Sequence, residues 1–99
     1  MEEVTAPILE MLIETNDNLA VVFFEHDDQQ DFAFLNGMEK IDDECDNVSI
    51  PLVKINDQSK AIHYGIERTP QLLYFKHQVP GAQFNGEKNL LEFWIEKNT

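Results

Sequence analysis

The chain has 99 residues, with seven Lys plus Arg against 19 Asp plus Glu and a formal net charge of −12. That length fits one domain, and 42% hydrophobic with 10% aromatic residues describes a chain with a packed core rather than a disordered one. The acidity excludes a nucleic-acid binder, which needs a basic surface, and disfavours anionic membrane surfaces. No apolar run approaches the ~18 residues of a membrane-crossing helix.

A single cysteine, Cys45, excludes an internal disulfide, an intramolecular redox pair and a cysteine-based zinc site. Met1-Glu2-Glu3 is acidic and carries no apolar signal region. The expectation is a cytosolic chain or one module of a longer protein whose targeting segment lies elsewhere. The charge is lopsided: residues 1–50 hold 14 acids and one base, for −13, and residues 51–99 hold five acids and six bases, for +1. No repeat and no Pro/Gly/Ser-rich linker divides the chain, so residues 1–99 read as one domain with two unlike faces.

A short strand at Glu3-Val4 is compatible with the start of the chain. Thr5 before Ala6-Pro7 predicts a helix start, with a hydroxyl N-cap and proline in the first turn. Ile8, Leu9, Leu12 and Ile13 then form a helical stripe, ended by the turn Asn16-Asp17-Asn18. The unbroken apolar run Leu19-Ala20-Val21-Val22-Phe23-Phe24 suits a strand buried on both faces, as in a central parallel sheet. After the polar Glu25–Asp31 turn, Phe32, Phe34, Leu35, Met38, Ile41 and Cys45 mark a second amphipathic helix. Asp28 and Asp31 have capping-box spacing at its N-terminus, and Gly37 is a candidate kink.

Ile50–Ile55 predicts another strand, and Asp57 opens a short helix stopped by Gly65. Gln71–Lys76 is a third strand, His77–Gly81 a turn, Ala82–Phe84 a short strand and Asn85-Gly86 a second turn. Glu87–Lys97 closes the chain as a helix with Leu90, Leu91, Trp94 and Ile95 on one face.

Val53-Lys54-Ile55-Asn56-Asp57, Tyr64-Gly65-Ile66, Thr69-Pro70, Leu72-Leu73-Tyr74-Phe75-Lys76 and Gly86 stand in the order and spacing of a thioredoxin domain. The pattern spans nearly the whole chain and most resembles domains of the protein disulfide isomerase family. Tyr64 to Lys76 is its most specific piece. The resemblance implies an α/β, thioredoxin-like fold, a mixed central sheet flanked by helices on both faces, with a cis peptide at Pro70.

It also implies where the redox site would lie. The family's two cysteines follow the first buried strand; here Asp28-Gln29-Gln30-Asp31 takes their place, and no cysteine occurs in residues 1–44. Carboxylates cap a helix but cannot exchange disulfides, because the thiolate is the nucleophile. The family's buried acid falls on Val22. The expectation is therefore a domain that is not an enzyme and needs no cofactor. Cys45 reads first as a small buried hydrophobe, with an intermolecular mixed disulfide as the functional alternative.

His26, His63 and His77 lie in three segments without metal-site spacing, so no high-affinity metal site is expected; His26 beside Asp27 and Asp28 is the one suggestive histidine. Asp42-Asp43-Glu44-Cys45-Asp46 lacks the pattern of a calcium loop. Two readings stay open for it: a solvated face that keeps the domain soluble, or low-affinity calcium ligands at Asp42, Asp43, Glu44 and Asp46, as the resemblance to acidic calsequestrins implies. Asn47-Val48-Ser49 is an N-glycosylation sequon at Asn47.

In the family, the residue before the cis proline offers its backbone to an extended peptide. The expected contact surface is therefore Asp27, Asp28 and Gln29 with Thr69 and Pro70. The first functional expectation is a redox-inactive, protein disulfide isomerase-like interaction or chaperone module in the endoplasmic reticulum or secretory pathway, contacting client or sibling protein segments. The alternative is a calsequestrin-like, low-affinity calcium-binding domain. Neither inserts into a membrane or binds nucleic acid.

Overall fold

The apolar run after the first helix forms β2 (Asn18–Phe23), in which every residue from Leu19 onward is buried. Such a strand is stable only with partners on both sides and cover on both faces. It has both in the computed structural model, which describes residues 1–26, 29–39 and 50–84. β2 pairs in parallel with β3 (Leu52–Ile55) and antiparallel with β4 (Gln71–Lys76). β1 (Glu2–Glu3) adds in parallel to β3, and β5 (Val79–Phe84) adds antiparallel to β4. The mixed five-stranded sheet runs β1-β3-β2-β4-β5.

The period-2 alternation of the strands divides the core. Ala20, Val22 and Phe24 face Leu35 and Met38 of α2 (Gln29–Glu39), together with Leu52, Leu72 and Tyr74. Leu19, Val21 and Phe23 face Leu9 and Ile13 of α1 (Ala6–Thr15) and Ala61 of α3 (Gln58–His63), together with Val53, Ile55, Leu73 and Phe75. Phe23 and Phe75 are among the largest fully buried side chains, and each contributes on the order of 2 kcal/mol by leaving water.

Local chemistry sets the helix ends. Thr5 occupies the N-cap of α1, but its hydroxyl makes no capping hydrogen bond, contrary to the expectation from sequence. An N-cap oxygen accepts from N2 or N3; Pro7 at N2 has no N–H to give, which leaves Ile8 at N3 as the remaining donor. At the other end the amide group of Asn16 donates to the Leu12 carbonyl at 2.9 Å, as does its backbone N–H at 3.1 Å. α2 runs unbroken through Gly37; its expected continuation through Ile41 and Cys45, and the Asp28–Asp31 capping box, lie outside the described residues. Asp57 caps α3 by accepting from the Lys60 N–H at 3.0 Å. The helix ends in paired bonds from Gly65 N–H to Ile62 O and Ile66 N–H to Ala61 O, with Gly65 at φ 76. That is the Schellman arrangement, whose left-handed position glycine fills without a Cβ penalty.

The strand limits differ in two places from those expected. β3 begins at Leu52 rather than Ile50, although the Pro51 carbonyl still accepts from Ala20 N–H at 3.0 Å. The turn expected over His77–Gly81 is only two residues long. His77 and Gln78 take φ 51 and 68, the left-handed pair of a tight hairpin, and β5 resumes at Val79. Pro80 is accommodated because β5 is an edge strand, and a bulge interrupts the register between Leu73 and Phe75. The Asn85-Gly86 turn and the final helix with Trp94 lie outside the described residues.

Candidate functional site

The antiparallel register that sets Phe23 opposite Gln71 brings the end of β2 beside Thr69 and Pro70. Parallel pairing of β2 with β3 brings Ile55, and the Asn56-Asp57 segment after it, to the same end of the sheet. These segments enclose a cleft of about 110 Å³ lined by Phe23, Phe24, Glu25, Asn56, Asp57, Ile62, Glu67, Arg68 and Thr69, among others. The Thr69–Pro70 peptide is cis. Thr69 is half-buried, and among the described residues neither its backbone N–H nor its C=O has a hydrogen-bond partner. A donor and an acceptor are thus presented side by side at the cleft, the pair an added extended segment uses.

On the opposite face of the sheet a smaller cleft of about 90 Å³ lies among Glu3, Phe24, Glu25, His26, Leu35 and Lys54. His26 Nε2 is 3.1 Å from Glu3 Oε2. The Phe24 ring lies 4.9 Å from the His26 ring and 5.8 Å from Lys54 Nζ, within cation–π range.

Of the residues expected at the contact surface, Thr69 lines the larger cleft and Pro70 follows it directly. Gln29 opens α2. Asp27 and Asp28 lie outside the described residues, as do Asp42, Asp43, Glu44, Cys45, Asp46 and Asn47. Among the described residues His26 meets Glu3, 23 residues away. Ile62, Glu67 and Arg68 were not singled out from sequence, and Asp57 stood there as a helix start rather than as a site residue. No local spacing marks them, because strand register and the return of α3 assemble them.

The chain has no cysteine in residues 1–44, so the junction of β2 and α2 offers no thiol nucleophile. Val22, on which the resemblance places the family's buried acid, is apolar and fully buried. Among the described residues no group of three or more His, Cys, Asp or Glu is arranged to hold a metal ion, and no helix is long and apolar enough to cross a membrane. What this geometry can do is seat a side chain and pair with a backbone.

No protein-family model matches the sequence, and no curated protein is similar to it. Solved structures are similar in fold. The thioredoxin of Fasciola hepatica superposes with a TM-score of 0.81 at 20% identity, each chain covered in full. Mitochondrial thioredoxin 3 from Saccharomyces cerevisiae gives 0.81 at 17% identity, covering 98% of this chain and 94% of that one. The J-Trx1 fragment of ERdj5 gives 0.82 at 14% identity, covering 97% of this chain and 50% of the fragment. The chain has the thioredoxin-like fold.

Proposed function

We propose that this domain is a redox-inactive, protein disulfide isomerase-like thioredoxin module that binds extended segments of other proteins as an interaction or chaperone unit. The observation that carries the reading is Thr69, whose backbone donor and acceptor stand unpartnered among the described residues at the edge of a cleft. The chain supplies that recognition element without the cysteine pair that would turn binding into exchange. Assignment to the endoplasmic reticulum or secretory pathway is part of this proposal, supported by the Asn47 sequon.

The test is an amide NMR titration of the 99-residue chain with an unfolded client peptide. Saturable shifts at Thr69 and its cleft neighbours, lost in Thr69→Lys at unchanged melting temperature, support the reading; unchanged affinity in Thr69→Lys and Asp28→Lys removes this surface. A disulfide-reduction assay with dithiothreitol should show no turnover above background, and turnover would overturn the redox-inactive part.

A second reading is favoured by the −13 charge of residues 1–50. It makes the domain a low-affinity calcium binder through Asp42, Asp43, Glu44 and Asp46. A rise in melting temperature with calcium beyond that with sodium chloride of matched ionic strength would select it.

A further inference from the structure

We propose that the cleft beside Thr69 selects its segment by chemistry: an aliphatic side chain seated against Ile62, with a lysine or arginine next to it in the bound sequence. This rests on the peptide-binding reading above and adds the class of partner to it.

The apolar half of the argument is the shape of the cleft. Ile55 and Ile66 are buried in its walls, whereas Ile62 is 68% exposed. Among the described residues Ile62, on a six-residue helix, belongs to neither core cluster, and it stands in the cleft where a bound side chain would arrive. Dry apolar cavities of roughly 150 Å³ accept benzene, so about 110 Å³ is suited to one aliphatic side chain rather than to a tryptophan.

The charged half is the rim. Among the described residues Glu25, Asp57 and Glu67 line the cleft with one cation, Arg68. Asp57 is tied to the Lys60 N–H, which fixes where its charge sits. Beyond the rim lies a molecule of net charge −12. Both the local pairs and the long-range field favour a basic segment and repel an acidic one. Thr69 pairs with the backbone of whatever binds, Ile62 sets the apolar position, and the rim rejects acidic sequences.

The experiment measures fluorescence anisotropy of three labelled extended peptides with one central leucine, flanked by lysines, by serines or by glutamates. At low salt the lysine-flanked peptide should bind on the order of tenfold tighter than the glutamate-flanked one, and the gap should shrink at high salt. Glu67→Lys should narrow the gap, and Ile62→Ser should weaken all three peptides alike. Both positions are exposed, so circular dichroism and melting temperature serve as the folding control. Equal affinity for the three peptides overturns the selectivity and leaves peptide binding standing. Binding of none of them overturns both. Self-association of the free chain in sedimentation, abolished by Ile62→Ser, would make a second copy the occupant and overturn the proposal.

Discussion

Val22 on β2 and Lys54 on β3 are partners in the parallel register of the sheet, on the face covered by α2. A buried aliphatic side chain therefore stands beside a half-buried ammonium group, with the Phe24 ring 5.8 Å from Lys54 Nζ. Val22→Asp should destabilise the domain by about 2–4 kcal/mol, because a carboxylate replaces apolar surface at a fully buried position. In the Lys54→Met background the same change should cost about 1 kcal/mol more. Urea denaturation of the double-mutant cycle measures the coupling. Strict additivity would mean that the lysine does not reach residue 22.

Two glycines should respond with opposite sign. Nothing lies within 4 Å of a Cβ placed at Gly37 or at Gly65, so backbone conformation alone decides. Gly37 lies inside α2, and Gly37→Ala should stabilise by about 0.5–1 kcal/mol. Gly65 has φ 76, and Gly65→Ala should destabilise by about 1 kcal/mol. Chemical denaturation of both variants checks the pair, and effects of equal sign would contradict it.

The β4–β5 hairpin turns through two non-glycine residues at positive φ, His77 and Gln78. Replacing them together by Asn-Gly should raise stability by about 1 kcal/mol, or several degrees in melting temperature. The gain is net of two contacts: the Gln78 amide donates to the Asn16 carbonyl at 3.2 Å, and His77 Nδ1 lies 3.8 Å from Asp17 Oδ1. A thermal melt that falls instead would show that these contacts outweigh the turn preference.

Lys60 of α3 donates to the Glu10 carboxylate of α1. That hydrogen bond holds the Lys60 pKa above its ordinary value, opposed by some desolvation and aided by the Glu10 charge. A raised folded-state pKa means that the ammonium contributes fully while both states are protonated. The contribution is lost as the unfolded chain deprotonates first, above about pH 10. Glu10→Gln should therefore lower stability at neutral pH, with the difference from the parent chain fading above that pH. A pH-independent difference would locate the effect elsewhere.

Particular residues show how far the sequence could be read. The run Leu19–Phe24 announced a strand with no polar face, and that strand is the centre of the sheet. Tyr64 to Lys76 carried the fold resemblance, and the structure places a cap, a Schellman turn and a central strand there. Val79-Pro80-Gly81 misled, because proline and glycine signal a turn locally while an edge strand with a bulge tolerates both. Thr5 stands at the helix start that its residue type signals, without the hydroxyl bond, and Pro7 removes one of the two donors such a bond can use. Thr69, which lines the larger cleft, was legible as a candidate contact through the resemblance. The place of Ile62 and Glu67 at that cleft was not, since it depends on which end of the sheet they reach.

The family resemblance carried the class of fold, while period and residue chemistry along the sequence alone determined the central strand, the helix at Asp57 and the absence of a cysteine pair after β2. These are local facts, set by side-chain alternation, capping groups and composition. Tertiary structure decided which residues share a cleft. Register sets Phe23 against Gln71 and Val22 against Lys54, and brings Glu3 to His26 across 23 residues of sequence. Such juxtapositions follow from the pairing of strands far apart in the chain, which a reading by neighbours cannot supply.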